Sequence, residues 1–311
     1  MKIFLTFYLF CFFSIIIYPQ TKSIELIDDL NFSNGIGLEG VNSADNSIID
    51  TLYPFGRRGE RISWKLAQWF SRYNLKGTIL KKINKEVIYS NQGKAISFLP
   101  VKGSTQIDME VIGSKEYVTP RKEGEAWPHI LLEQTFKKQV SLKKIKNLKF
   151  KMDARLMFSK NLMDSISYNP TLHTAQFSMY LVVQNLNKNS SDYKDYFWFG
   201  LHLYDYRWKV IKEYKEEDKG KSDATKKFIY CPASYEIYSG NFQDMHWINI
   251  SKDLYPIIKK AFQIAQLKGY LKGASIGDMY ITGMNIGWEV TGTFDCGYKY
   301  KNLKLIATIK N

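Results

Sequence analysis

Residues 284–295 read MNIGWEVTGTFD. Asn285, Gly287, Glu289 and Thr291 alternate with Met284, Ile286, Trp288 and Val290. An apolar face and a polar face in period two mark a half-buried strand, one side on a core and the other open. The open side carries small residues and then one carboxylate. Glu289 is therefore either an ordinary solvent-facing glutamate or a group that faces a ligand.

The same alternation recurs outward from this stretch. Residues 104–113, 127–136, 147–157, 174–184, 196–208, 279–291 and 298–308 all read as strands, with separators rich in Asn, Gly, Ser and Lys. Many strands with almost no helical periodicity predict an all-β fold, an antiparallel sandwich or jelly roll. One segment departs from the pattern. In 251–269 the apolar residues Leu254, Ile257, Ile258, Ala261, Ile264 and Ala265 fall at helical spacing. Ser251 or Asp253 can cap its start, Pro256 is tolerated in the first turn and Gly269 suits its end. This amphipathic helix, near 251–268, is expected to lay its apolar stripe on the outer sheet. Residues 185–195 and 212–227 read as exposed loops.

The first 20 residues, MKIFLTFYLFCFFSIIIYPQ, carry Lys2 and then a long apolar run. They read as a secretory signal peptide, with Lys2 as its charged start. The run of about 16 apolar residues is short for a membrane span, and no later stretch is longer. The expectation is an exported protein: secreted, periplasmic or cell-surface, with no membrane span once the signal is removed. Residues 21–311 then form a single β-sandwich domain, of which the weakly patterned 21–100 is either an integral part or an N-terminal extension. Only Cys231 and Cys296 follow Cys11. They either form one disulfide, as an oxidising compartment permits, or are two separately buried thiols.

The formal net charge is +14. Scattered lysines allow attraction to an acidic polymer. There is no arginine-rich strip, recognition-helix pattern or zinc-finger spacing, so nucleic acid is not the expected partner. No metal or cofactor site is expected. Two cysteines are too few for a structural zinc site, no calcium-loop spacing is present, and GKG at 219–221 lacks a strand-to-helix setting.

Four strands have a face that is not core-like. In 127–136 it carries Trp127, His129, Leu131 and Glu133. In 174–184 it carries Gln176, Ser178 and Tyr180. In 196–208 it carries Trp198, Gly200, His202, Tyr204, Tyr206 and Trp208, and in 279–291 Gly283, Asn285, Gly287 and Glu289. On one concave sheet these faces make an aromatic-lined groove. Tyr and Trp stack on apolar sugar faces, and Asn, Gln, His and Glu bond hydroxyls. The candidate ligand residues are Trp127, His129, Gln176, Tyr180, Trp198, His202, Tyr204 and Asn285, for a polysaccharide or oligosaccharide. Glycines in a strand let a ligand or another backbone come close. On parity Asp205 and Arg207 fall on the core side, where they are expected to form a structural ion pair.

The last sixty residues have a definite order: an amphipathic helix, a Tyr-led strand, Gly287-Trp288-Glu289, a Thr-Gly turn and a closing strand. This order resembles the C-terminal part of glycoside hydrolase family 12. The resemblance covers about a fifth of the chain. It implies a concanavalin-like jelly roll with one helix on the convex sheet, and Glu289 as general acid/base. The family's nucleophile glutamate belongs on an earlier strand. The matching stretch here, AQFSMYLVVQ, has Gln176, Ser178 and Tyr180 on its groove side and no carboxylate. Glu133 is the substitute second carboxylate. Three readings follow: a glycan-binding protein, a hydrolase using Glu289 and Glu133, or a lyase of acidic glycans recruiting His129, Gln176, Tyr180, His202 and Arg207.

Overall fold

The computed structural model describes residues 21–310 apart from 46, 57, 58, 60 and 220–223. The expected signal peptide and Cys11 therefore lie outside the described residues. Two large sheets pack face to face as a β-sandwich, as the strand pattern predicts.

One sheet is built from β1 (Lys22–Glu25), β5 (Lys81–Ile83), β6 (Glu86–Ser90), β7 (Lys94–Val101), β8 (Ser104–Ile112), β10 (Ile145–Asn161), β15 (Ile248–Asp253) and β17 (Phe294–Ile309). The other is built from β2 (Ile36–Glu39), β3 (Ile48–Leu52), β4 (Trp64–Ala67), β9 (His129–Ser141), β11 (Ala175–Asn185), β12 (Tyr196–Asp205), β13 (Tyr214–Glu217), β14 (Phe228–Cys231) and β16 (Met279–Val290). The eight-stranded sheet runs β15-β10-β17-β8-β7-β6-β5, with β1 added against β17. The nine-stranded sheet runs β13-β14-β12-β11-β16-β9-β4-β2-β3. Pairing is antiparallel except at β12–β14 and β2–β4.

Every strand read from alternation is present. The segment 21–101 is integral to both sheets: β2, β3 and β4 extend one, and β5, β6 and β7 extend the other. Its early strands have only three to five residues, too few for period two to stand out.

The apolar faces meet between the sheets. Trp288 is fully buried and donates its indole N–H to the Met109 carbonyl across the sandwich (2.9 Å). Phe177 stacks on Tyr298 at 4.0 Å and meets the edge of Trp288 at 5.3 Å. A core of large interlocked rings fixes the register of the central strands, because a one-residue slip would turn each ring to the other face.

The long helix spans Tyr255–Leu267, four residues shorter at its start than the periodicity suggests. Ser251 and Asp253 belong instead to β15, which pairs with β10. Asp253 still serves the helix: its carboxylate accepts the Tyr255 N–H at 3.1 Å. Ile258, Ala261, Phe262 and Ala265 are buried, and Phe262 stacks on Phe197 of β12. Part of the expected 212–227 loop is β13, paired with β14. Cys231 and Cys296 are both free and buried, so they are not bridged.

Candidate active site

The open face of the nine-stranded sheet holds a groove of about 810 Å³. Strand register sets its floor in cross-strand rows. The first row is His129–Glu289–Gln176–Asp205, from β9, β16, β11 and β12. The next is Leu131–Gly287–Ser178–His202, and the third Glu133–Asn285–Tyr180–Gly200. Trp198 follows, opposite Val182. Of the residues singled out in the sequence, Glu289, Glu133, Trp127, His129, Gln176, Tyr180, Trp198, His202 and Asn285 all line this groove.

Gly287 is explained by backbone rather than by ligand. A Cβ there would lie 2.0 Å from the Ile130 carbonyl oxygen on β9, and one at Gly283 would lie 2.8 Å from that of Gln134. The two glycines let β16 lie close against β9, the second of the two roles strand glycines can have.

Tyr204 is the exception among the expected ligand residues. Between the pairs Phe177↔Tyr204 and Ser178↔His202 the register shifts by one residue. Such a bulge reverses the facing of everything beyond it. Tyr204 consequently turns into the core, buried and edge-on to Trp288 at 5.8 Å. Asp205 and Arg207, expected on the core side, turn into the groove instead. They do form the expected ion pair, bidentate through Arg207 Nε (2.9 Å) and NH2 (2.6 Å).

Asp205 is 1% exposed and all its lone pairs are taken. Besides Arg207 Nε, Oδ1 accepts from Thr174 Oγ1 (2.8 Å) and the Arg207 N–H (3.0 Å). Oδ2 accepts from Gln176 Nε2 (2.8 Å) as well as Arg207 NH2. Burial alone would raise this carboxyl, but the bonds and charge of Arg207 prevail and hold it below the usual range. Its role here is to brace Gln176 and Arg207. The remaining Arg207 group, NH1, donates to the Pro170 carbonyl at 3.2 Å.

Glu289 is held from the β9 side. The Trp127 indole N–H donates to its Oε2 at 3.0 Å, and His129 Nε2 lies 3.4 Å from the same oxygen. Trp127 stacks on the His129 ring (5.8 Å, 22°), and the Arg121 guanidinium lies over Trp127 at 4.8 Å. Arg121 is itself fixed through the Glu125 carbonyl at 2.7 Å. Directly across from Glu289, β11 offers the amide of Gln176.

Glu133 stands four residues along β9 from the position opposite Glu289, a backbone offset of about 13 Å. Register therefore places Glu133 opposite Asn285 and does not bring it to Glu289. Burial, with Glu39 nearby, pushes its carboxyl from the ordinary 4.5 to about 8, against the pull of Lys65. Beside it the Asn285 Oδ1 is buried with no hydrogen-bond partner. On the other flank Tyr180 Oη lies 3.0 Å from His202 Nε2, and Cys231 Sγ lies 3.3 Å from the same nitrogen. Burial lowers the His202 pKa, so the ring is a neutral partner to the phenol.

Two contributors were not singled out in the sequence. Trp69 and Arg121 line the groove from loops, where no periodicity marks a facing, whereas Trp208 was already on the face read for 196–208. Arg207 had a signal: it lies two residues from Asp205, the spacing of same-side neighbours on extended chain.

No family model matches the chain, and no curated protein matches it. Among solved structures the chain is similar to a family 12 xyloglucanase from Bacillus licheniformis in complex with ligand. That alignment has 11% identity and a TM-score of 0.42, and covers 79% of this chain and 100% of the other. An endoglucanase from Rhodothermus marinus aligns at 8% identity and a TM-score of 0.39, over 75% of this chain and 97% of the other. The xyloglucanase domain of a type three effector from Sinorhizobium fredii, in complex with cellobiose, aligns at 11% identity and a TM-score of 0.38, over 74% and 96%. These are distant likenesses, and the first is of the family that the C-terminal segment resembles. Among the described residues no helix is long and apolar enough to cross a membrane.

Proposed function

We propose that the groove binds a segment of polysaccharide and that the protein is an exported glycan-recognition protein. The observation that carries this reading is the first row of the floor. An amide, Gln176, stands opposite Glu289, where a paired mechanism would need a second carboxylate. Hydrolysis by a carboxyl pair requires separations of about 5–5.5 Å or about 6.5–9.5 Å. Glu133 is offset by about 13 Å along its strand. Asp205 lies two strand spacings away, about 10 Å, and every lone pair that could activate a water is engaged.

The remaining features suit recognition. Trp198 and the half-exposed Trp208 offer ring faces for pyranose stacking. Gln176, Asn285, His129 and Glu289 offer donors and acceptors that fix the ligand's orientation. For an elimination mechanism Arg207 was the arginine expected to neutralise a uronate, and its guanidinium is already committed to Asp205 and Pro170.

Hydrolysis with Glu289 as acid/base and Glu133 as its partner is the second reading. One observation favours a carboxyl pair with these roles exchanged: Glu133 keeps its proton near neutral pH, as a general acid must, which would leave Glu289 as the base. Affinity electrophoresis of the purified protein through neutral and acidic polysaccharides tests the recognition reading. Retardation by at least one glycan, lost in Trp198→Ala, is the expected result. Migration unaffected by every glycan, or retardation unchanged in Trp198→Ala and Trp127→Ala together, would contradict a groove-borne site.

A further inference from the structure

The groove does not end at Glu133. The same face of the sheet continues into a second hollow of about 480 Å³, floored by Val182, Gly283 and Trp198 and walled by the segment 61–65 and Lys137. Glu133, Asn285 and Trp198 line both hollows, so the two form one furrow. Along β11 its floor runs from Gln176 to Gln184, about 27 Å.

The furrow is electrically uneven. Among the described residues, six carboxyls and four cationic side chains line the first hollow. In the second, again among the described residues, three cationic side chains, Arg61, Lys65 and Lys137, face a single carboxyl, Glu133. Lys65 is neutralised locally by Glu39 at 2.7 Å. The Lys137 ammonium is exposed and, among the described residues, donates to the hydroxyl of Ser63 at 3.2 Å. Arg61 is exposed as well. The one carboxyl present subtracts little, because its surroundings favour the protonated form. The acceptor Asn285 Oδ1, buried and without a partner, sits on the wall between the hollows. It suits a hydroxyl of a sugar chain that crosses from one to the other.

Resting on the glycan-binding reading above, we infer that the second hollow takes an acid group, a carboxylate or a sulfate ester, carried by the sugar chain that fills the first. The cations then read charge at one end of the bound segment, while the tryptophans and amides read the sugar at the other. This assigns the ligand a polarity: the charged units lie toward Lys137 and the uncharged ones toward Glu289. A net charge of +14 would also draw a polyanion to any part of the surface. The inference differs in placing the preference at Arg61 and Lys137.

The test uses three derivatives of one β-glucan backbone: hydroxyethyl-, carboxymethyl- and sulfate-substituted cellulose. Each is titrated into the wild type, Arg61→Glu/Lys137→Glu, and Lys151→Glu, an exposed lysine of β10 in the other sheet. The wild type is expected to bind an acidic derivative more tightly than the neutral one. The double variant should lose about tenfold of that advantage and keep its affinity for the neutral polymer. Lys151→Glu should keep both. Loss confined to the carboxymethyl or to the sulfated polymer identifies which acid is read, and either supports the inference. Equal loss in Lys151→Glu would overturn it in favour of general surface charge. Binding of the neutral polymer with no preference for acid would overturn it while leaving the groove reading intact. Binding of none of the three would overturn both.

Discussion

Glu289 and Glu133 stand on neighbouring strands of one floor, and their surroundings differ. Glu289 accepts a hydrogen bond from the Trp127 indole, lies against His129 and faces the amide of Gln176. Glu133 accepts little help: burial and Glu39 push it to about 8, and Asn285 is its cross-strand neighbour. Paired-carboxyl catalysis needs both a split in proton affinity and closeness. The split is suggested at the Glu133 end, but the four-residue offset in register withholds the closeness. Carboxylates on a common groove face are therefore not yet a catalytic pair; row-by-row register decides whether they meet.

The strongest way to break the Glu289 end is Asp205→Ala. It strips Gln176 and Thr174 of their acceptor and leaves Arg207 without its bidentate partner. Loss of a buried, hydrogen-bonded ion pair should lower stability by about 3 kcal/mol, read as a fall in the urea midpoint. A loss below about 1 kcal/mol would mean that Asp205 does not brace that row.

The Glu133 end is tested by pH. The folded protein keeps the Glu133 proton up to about 8, whereas the unfolded chain releases it near 4.5. Between these values the unfolded state binds fewer protons, so this group's contribution to stability falls as pH rises from about 5 to about 8. Partial exposure of the side chain limits the loss to about 2 kcal/mol. Glu133→Gln should flatten that slope in denaturant titrations across the window; an unchanged slope would locate the titration elsewhere.

The smallest effect concerns the flank between the two ends. Tyr180→Phe removes the hydroxyl that meets His202. It should cost about 1 kcal/mol and leave the His202 ring without its phenol partner. NMR titration of that ring should then move, and an unmoved titration would mean that the contact does not govern it.

The floor was largely legible in the sequence because β11 and β16 alternate through their central stretches, with buried apolar side chains, Phe177 and Trp288 among them, on one side. The facing of Gln176, Asn285 and Glu289 follows from period two alone. What misled was the one-residue shift on β12. Counting by twos put Tyr204 in the groove and Asp205 in the core, and the bulge exchanged them. A bulge has no signature in that stretch, since Tyr204 is aromatic enough for either side. Register between strands was also hidden, and it alone separates Glu133 from Glu289. The loop residues Trp69 and Arg121 are placed by tertiary packing that no local pattern encodes.

The central claim is that the groove binds without a cutting carboxyl pair. Its most direct test measures binding and reducing-end release together, for the wild type and Glu289→Gln, on neutral β-glucans and acidic glycans. The account predicts binding to at least one polymer with no release of reducing ends by either protein. Release by the wild type that disappears in Glu289→Gln while binding persists would contradict it, and would make Glu289 the acid/base of a hydrolase.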